Sequence, residues 1–288
     1  MSDKIVVTGA DGFIGSHLTE HLVRAGHDVR AFVQYNSFGS WGWLDNCDSE
    51  ILNGLEIVMG DIRDPRGVYE AVSDREVVLH LAALIAIPYS YRSPHSYVET
   101  NVLGTLNVLE AARLNKIEKL IHTSTSEVYG SPETIPINEL NPLKGQSPYA
   151  ATKIAADQLA YSYFASYDLP VVICRPFNTY GPRQSARAVI STVISQIAAG
   201  HRNIVLGTVS TRRDFTFIED TVAGFDSILN GDGGYGEVFN LGCGYDVSIR
   251  ELVHLIADVM GEEVSIETDS KRIRPENSEV DRLLSDNT

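Results

Sequence analysis

Tyr149 and Lys153, in the run Tyr-Ala-Ala-Thr-Lys, lie one helical turn apart, so on a helix both heads reach one site. A phenol beside an ammonium group suits removal of a hydroxyl proton as an alcohol is oxidised by hydride transfer. Free tyrosine is a poor base near neutrality, and lowering its pKa by about three units takes roughly 4 kcal/mol. A lysine cation ~5 Å away supplies about 3 kcal/mol at an effective dielectric near 20, and a cationic cofactor ring would add the remainder. Composition alone makes such a pair unremarkable, so its weight depends on its company. Upstream, Ser124-Thr125-Ser126-Glu127-Val128-Tyr129-Gly130 follows an apolar run and sets hydroxyls and a carboxylate at the C-terminal end of a strand. Parallel α/β folds place ligands there. The plainer reading is a Ser/Thr turn that caps the strand.

A second motif points to the cofactor. The run from Thr8 to Gly15 places glycines at 9, 12 and 15, with Phe13 and Ile14 opening the following helix. Glycine there lets the backbone turn tightly and approach a pyrophosphate, whose charge meets the free amides of the helix N-terminus. The spacing alone is weak, and its place on the first strand–helix turn strengthens it. An acid about 20 residues further on normally holds the ribose hydroxyls. Here the second strand ends Val33-Gln34-Tyr35-Asn36, with neither a carboxylate nor an arginine for a 2′-phosphate. Gln34 or Asn36 is the expected ribose partner, and NAD is favoured with NADP left open. Asp61 and Ile62, after the third strand, are placed to meet an adenine ring, or else form an ordinary strand-end turn.

These groups need a scaffold, and the chain alternates to supply one. Strands are expected at 4–8, 28–33, 55–60, 76–82, 119–124 and 169–175, with helices at 13–25, 65–72, 95–114 and 148–167. Such alternation predicts a Rossmann-type, doubly wound parallel sheet over residues 1–175. Residues 176–288 carry shorter elements, with helices near 188–199, 219–229 and 248–259, and predict a smaller substrate-binding lobe with an interleaved boundary. Trp41 and Trp43 sit in a glycine-containing loop that packs on the core, the adenosine half of the cofactor, or a partner.

The composition narrows the classes. Lys+Arg 23 against Asp+Glu 38 leaves a net charge of −15, which disfavours nucleic acid and anionic membrane as partners. No apolar run nears the roughly 20 residues that span a bilayer. Cys47, Cys174 and Cys243 are scattered without metal spacing, and no leader-like segment precedes the first strand, so a cytoplasmic protein with reduced thiols and no metal is expected. One local exception stands out. Between Leu169 and Arg213 there is no acid but there are arginines at 175, 183, 187, 202, 212 and 213. Either this stretch binds a compact anion such as a diphosphate, or its arginines pair with acids distant in sequence.

TGADGFIG, HLAA (80–83), STSEVYG (124–130), YAATK (149–153), RPFNTYGPR (175–183) and RRDFTFIED (212–220) together resemble the extended short-chain dehydrogenase/reductases that act on nucleotide sugars. Within that family the chain looks most like the sugar-nucleotide 4,6-dehydratases of the legionaminic-acid and GDP-mannose type. The resemblance implies that Tyr149 with Lys153 removes the 4-hydroxyl proton, that Thr125 binds that oxygen, and that Glu127 removes the C-5 proton. Glucose 4,6-dehydratases have Asp-Glu where this chain has Ser126-Glu127, so Ser126 relays the proton to the departing 6-hydroxyl, or Glu127 takes both roles, or the reaction differs. The same motifs resemble UDP-glucuronate decarboxylases and 4-epimerases, and a dinucleotide-sensing protein without catalysis is a remote alternative.

The resemblance further implies that Leu81, Ala82, Ala83 and Thr123 line the cofactor, with His80 near it. It puts Asn178, Arg183, Arg187, Arg213 and Arg274 at the nucleotide-diphosphate sugar. It also implies a homodimer through helices 95–114 and 148–167. Family members usually continue past Thr288 into another strand and helix, so residues 271–288 are expected to be loosely held.

Overall fold

The computed structural model describes residues 3–288. In chain order the strands are β1 (Lys4–Thr8), β2 (Asp28–Gln34), β3 (Leu55–Gly60), β4 (Val77–His80), β5 (Lys119–Thr123), β6 (Val171–Pro176), β7 (Asn178–Tyr180), β8 (Asn203–Leu206), β9 (Arg212–Phe217), β10 (Val238–Leu241), β11 (Asp246–Ser248), β12 (Ser265–Thr268) and β13 (Arg282–Leu283). The helices are α1 (Phe13–Arg24), α2 (Ser49–Asn53), α3 (Pro65–Val72), α4 (Ile87–Ser90), α5 (Pro94–Tyr97), α6 (Gly104–Asn115), α7 (Pro148–Tyr167), α8 (Val189–Ala198), α9 (Ile218–Asn230) and α10 (Ile249–Met260).

Seven strands form one sheet in the order β10-β6-β5-β4-β1-β2-β3, every neighbouring pair parallel. Alternation along each strand explains its two covered faces. Ile5 and Val7 of β1 join Leu18, Leu22 and Phe225 beneath α1 and α9, while Val6 joins Val68, Val108 and Leu109 beneath α3 and α6. The strand order reverses between β1 and β4, and in such sheets the crevice for a ligand opens at that point. The expected dinucleotide fold is therefore present. It has a seventh strand, β10, to which sequence reasoning assigned no element.

The chain crosses between the sheet and the smaller lobe more than once. After β6 it leaves for β7, α8 and β8, and returns through α9 and β10 to the sheet edge. It leaves again for β11, α10 and β12. The lobe has a four-stranded sheet of β11, β9, β13 and β7, and a two-stranded sheet of β12 and β8. Its own core lies between α8 and α10 (Val193, Ile197, Leu252, Val253).

Two expectations need correction. The helix expected at 95–114 is interrupted: α5 runs into a π-helical segment, Val98–Leu103, before α6 begins. The added residue per turn rotates Asn101 into the protein, where its amide bonds both Leu84 N (2.8 Å) and Leu84 O (2.9 Å). The stretch 271–288 is also better held than expected. Val280 and Leu283 are buried against Val128, Tyr129, Ile137 and Phe177, because β13 pairs with β9 and Ile137 bonds Leu284 O and Asp286 N. No helix among the described residues is long and apolar enough to cross a membrane.

Candidate active site

The glycine turn closes on itself. Gly9 is in the left-handed region (φ 70°), and its amide donates to Phe32 O at 3.0 Å, while Gly12 donates to Gly9 O at 3.1 Å. A Cβ on Gly9 would stand 2.8 Å from Ala82 N, so only glycine lets the turn meet the end of β4. Thr8 Oγ1 accepts from both Leu81 N and Ala82 N at 3.2 Å. Its own proton is thereby directed to His80 Nδ1 (2.8 Å), which leaves His80 Nε2 to donate to Thr105 at 3.0 Å. Burial, then His122 and Lys153, push the His80 pKa well below its ordinary value, so it stays neutral. Its role is to brace the crevice wall.

Phe13 and Ile14 sit half-buried at the start of α1, and Ala83 lies on the same wall as Ala82. Gln34 is exposed at the end of β2. Asn36 is not free for a ribose: its side chain donates to Ser40 O and accepts from Phe38 N and Ser40 N, fixing its own turn. Asp61 is gripped by Arg63 through Nε (2.9 Å) and Nη2 (2.6 Å), and Ile62 is buried against Gly104. Sequence reasoning missed Asp11. This carboxyl of the glycine turn reaches the Gln34 backbone, and burial raises its pKa. The loop carrying Trp41 and Trp43 packs onto the same turn, with Trp43 N donating to Asp11 O and Trp41 against the core.

Ser147 caps α7 by accepting from Ala150 N, and Pro148 fixes its first turn. Tyr149 thus enters at the helix start, 6% exposed, its ring edge-on to Tyr97 at 6.3 Å. Lys153, one turn on, donates to Thr123 O at 2.6 Å, tying α7 to the end of β5. Thr125 does cap the next turn, accepting from Glu127 N at 3.2 Å, and it also lies beside the Tyr149 hydroxyl. The capping and functional readings thus coincide in one residue. Ser126 is buried, and among the described residues no hydrogen bond or ion pair engages the Glu127 carboxylate. Burial pushes the Tyr149 phenol above its ordinary value, Thr125 opposes this, and Glu127 adds to it. Burial lowers Lys153 to about 8, with Asp157 opposing. The protein alone therefore does not make the phenol acidic, and further positive charge is required at the crevice.

Asn178, expected at the nucleotide sugar, has its Oδ1 buried without a partner among the described residues. Arg213 is buried, donates to Arg212 O at 2.9 Å, and lies 3.7 Å from Glu279, which is equally far from Arg274. The Glu127 charge disfavours the Tyr149 phenolate and favours the protonated form of Arg213. A cavity of about 800 Å³ is bounded by Ser131, Lys144, Gln146, Thr208, Arg274 and Glu279.

The acid-free stretch is mostly paired with distant acids. Arg175 meets Asp157, Arg202 meets Glu262, Arg212 meets Asp246 and Glu251, and Arg213 lies near Glu279. Arg183, expected at a diphosphate, instead turns back to α1 and donates to Glu20 and to Ser16 (3.2 Å), beneath the glycine turn. Of the six, only Arg187 lacks an acid among the described residues.

A doubly wound sheet with a glycine turn at its switch point, and a Tyr/Lys pair on the helix after the fifth strand, defines the extended short-chain dehydrogenase/reductase class. The chain belongs to the GDP-mannose 4,6 dehydratase family, whose model matches residues 6–288. It is 37% identical over 265 residues to the UDP-glucose 4-epimerase of Mycolicibacterium smegmatis, covering 90% of this chain and 83% of that protein. Among solved structures it is similar to the UDP-N-acetylglucosamine 4-epimerase of Methanobrevibacter ruminantium in complex with UDP-N-acetylmuramic acid (TM-score 0.87, 32% identity, 99% and 90% of the two chains). It is equally similar to the dTDP-glucose 4,6-dehydratase of Streptomyces venezuelae with NAD bound (TM-score 0.87, 29% identity, 98% and 88%).

Proposed function

We propose that the protein is an NAD-dependent nucleotide-sugar 4,6-dehydratase. The observation that carries this reading is the Glu127 carboxylate, free of hydrogen bonds and ion pairs among the described residues, on the turn that Thr125 caps beside the Tyr149 phenol. The residues present fit a dinucleotide. Nothing but Gly9 O lies within 4 Å of a Cβ on Gly12, so that face is open to close approach by a pyrophosphate. Gly9, Gly12 and Gly15 would hold it at the start of α1, with Leu81, Ala82, Thr123 and Lys153 toward the nicotinamide end. When bound, NAD would supply the hydride acceptor at C-4 and the hydride donor at C-6, and its positive ring would add the charge that Tyr149 needs.

Tyr149 then removes the 4-hydroxyl proton while Thr125 hydrogen-bonds that oxygen. The resulting 4-keto group acidifies C-5, whose proton passes to Glu127. The C-6–oxygen bond breaks, and the oxygen leaves as water with a proton from Glu127, directly or through Ser126. As hydride reaches C-6, C-5 would take the proton held by Tyr149, directly or through water, which restores the base. Asn178, Arg187, Arg213 and Arg274 are the groups we assign to the diphosphate and nucleotide. Arg183 acts from behind, holding the lobe to α1.

A second reading, 4-epimerisation, is favoured by the absence of an acid at position 126 and by the similarity to epimerases. To decide, purified protein is incubated with NAD and, separately, UDP-N-acetylglucosamine, GDP-mannose, dTDP-glucose and UDP-glucuronate. Mass spectrometry should show loss of one water. An isomer of unchanged mass would establish epimerisation, and loss of carbon dioxide decarboxylation.

A further inference from the structure

Behind the Tyr149 and Lys153 face of α7 lies a group of ionisable side chains that the proposed reaction does not use. Asp157, one turn beyond Lys153, and His122 on β5 are fully buried, and Arg175 on β6 is 3% exposed. Arg175 donates Nε (3.1 Å) and Nη2 (2.9 Å) to a single oxygen of Asp157, Oδ2. His122 Nε2 stands 3.3 Å from the other oxygen, Oδ1, but is poorly aligned to bond it. Arg175 is itself fixed by the Tyr129 hydroxyl, to which it donates at 2.9 Å, and Tyr129 donates on to Asn240 Oδ1 at 2.8 Å. The carboxylate is thus locked by Arg175.

Charges in this group do not balance without Asp157. Lys153 and Arg175 are both cations, and the groups facing Lys153 from neighbouring elements are His122 on β5, His80 on β4 and the Tyr149 phenol on its own helix. Burial holds both histidines neutral, and the phenol is neutral too. Among the described residues Asp157, one turn along the same helix face, is the anion that acts on the ammonium group. The Asp157 charge favours the protonated form of Lys153, while its direct effect on the more distant Tyr149 opposes the phenolate.

We propose that Asp157 is a positioning residue for the catalytic pair, a buried carboxylate locked by Arg175 that keeps Lys153 cationic and seated against Thr123 beside Tyr149. This rests on the reading of Tyr149 and Lys153 given above. An unpaired buried ammonium loses its proton readily, and a neutral lysine can no longer favour the phenolate.

The test reads Lys153 directly. The protein has six lysines, so ε-¹³C labelling gives a short spectrum in which the Lys153 signal is assigned by its loss in Lys153→Met. The wild type should titrate near 8 at this position. A unit charge ~6 Å away at an effective dielectric near 20 corresponds to about two pH units, so Asp157→Asn should move the titration down by at least about one unit. Because that variant leaves Arg175 unpaired, Asp157→Asn combined with Arg175→Met provides a folded alternative and should show the same downward shift. Asp157→Glu should stay near wild type. An unchanged Lys153 titration in the folded double variant would overturn the proposal and leave Asp157 a purely structural partner of Arg175. If the wild type turned over no nucleotide sugar, the reaction assigned above would fail, while the titration would still decide the role of Asp157.

Discussion

Replacing Gly15 by alanine puts a methyl group where the first turn of the fold has no room. The added carbon would lie 2.1 Å from Gly9 O, 2.8 Å from Gly9 C and 3.0 Å from Ala10 Cα. Every one of these is a backbone atom. A carbon and a carbonyl oxygen settle at about 3.3 Å, so one side must yield by roughly 1 Å. Gly9 cannot retreat, because its amide is bonded to Phe32 O and its other side rests on Ala82. Overpacking of this kind costs about 1–3 kcal/mol, and rigid backbone on both sides argues for the upper end. At about 2–4 °C per kcal/mol for a chain of this size class, the melting temperature should fall by roughly 6–12 °C. Gly12→Ala is the control, since its methyl group would meet only Gly9 O at 3.3 Å. That variant should melt within about 2 °C of the wild type yet lose the stabilisation by NAD, which for the wild type should reach about 2.7 kcal/mol at a hundredfold excess over Kd. Thermal unfolding with and without NAD measures both. A Gly15→Ala protein that melts like the wild type would refute the packing argument, and a Gly12→Ala protein that keeps the full NAD shift would refute the seat of the cofactor.

Tyr149→Phe keeps the edge-on contact with Tyr97 and should fold normally, while losing at least about a hundredfold in turnover, measured by product formation. His80 and His122 titrate below their ordinary value when folded, so the unfolded chain takes up protons first as pH falls. Stability should therefore be full above about pH 6.5 and decline below it by up to about 1.4 kcal/mol per pH unit for each histidine, checked by urea unfolding between pH 7 and pH 5. Arg183→Met should destabilise by about 3 kcal/mol through the Glu20 carboxylate left behind, and the pair Arg183→Met with Glu20→Gln should recover part of that loss in a double-mutant cycle. Leu103 and Leu114 beside α6, with Tyr161 and Tyr167 on α7, are exposed apolar groups. Sedimentation at micromolar concentration should give a dimer, and Tyr161→Asp should shift it toward monomer.

The strands were legible because both their faces are covered. Residues 5–7 and 171–174 read as unbroken apolar runs, and the glycine turn sits just past the first of them. Strand β10 escaped notice for the opposite reason. It is a four-residue edge strand, none of it fully buried, following a glycine-rich turn at 231–236. The π-helical segment was also hidden, since one extra residue in a turn hardly alters an apolar periodicity. At the site, Tyr149, Lys153, Thr125 and Glu127 were legible from spacing and type. Asp157 could have been found from its spacing of four from Lys153. The fate of the arginines could not, because Glu20, Asp157, Glu262 and Asp246 meet them only through the fold.

The stretch from Val280 to Asp286 closes over Val128, Ile137 and Phe177, residues that leave the ribosome more than a hundred positions earlier. A nascent chain can assemble most of its parallel sheet first, as N-terminal parts commonly do. The turn bearing Glu127 stays unroofed until that late segment emerges. During that interval the reaction chamber has no floor, and an apolar surface stands open to chaperones or to other growing chains.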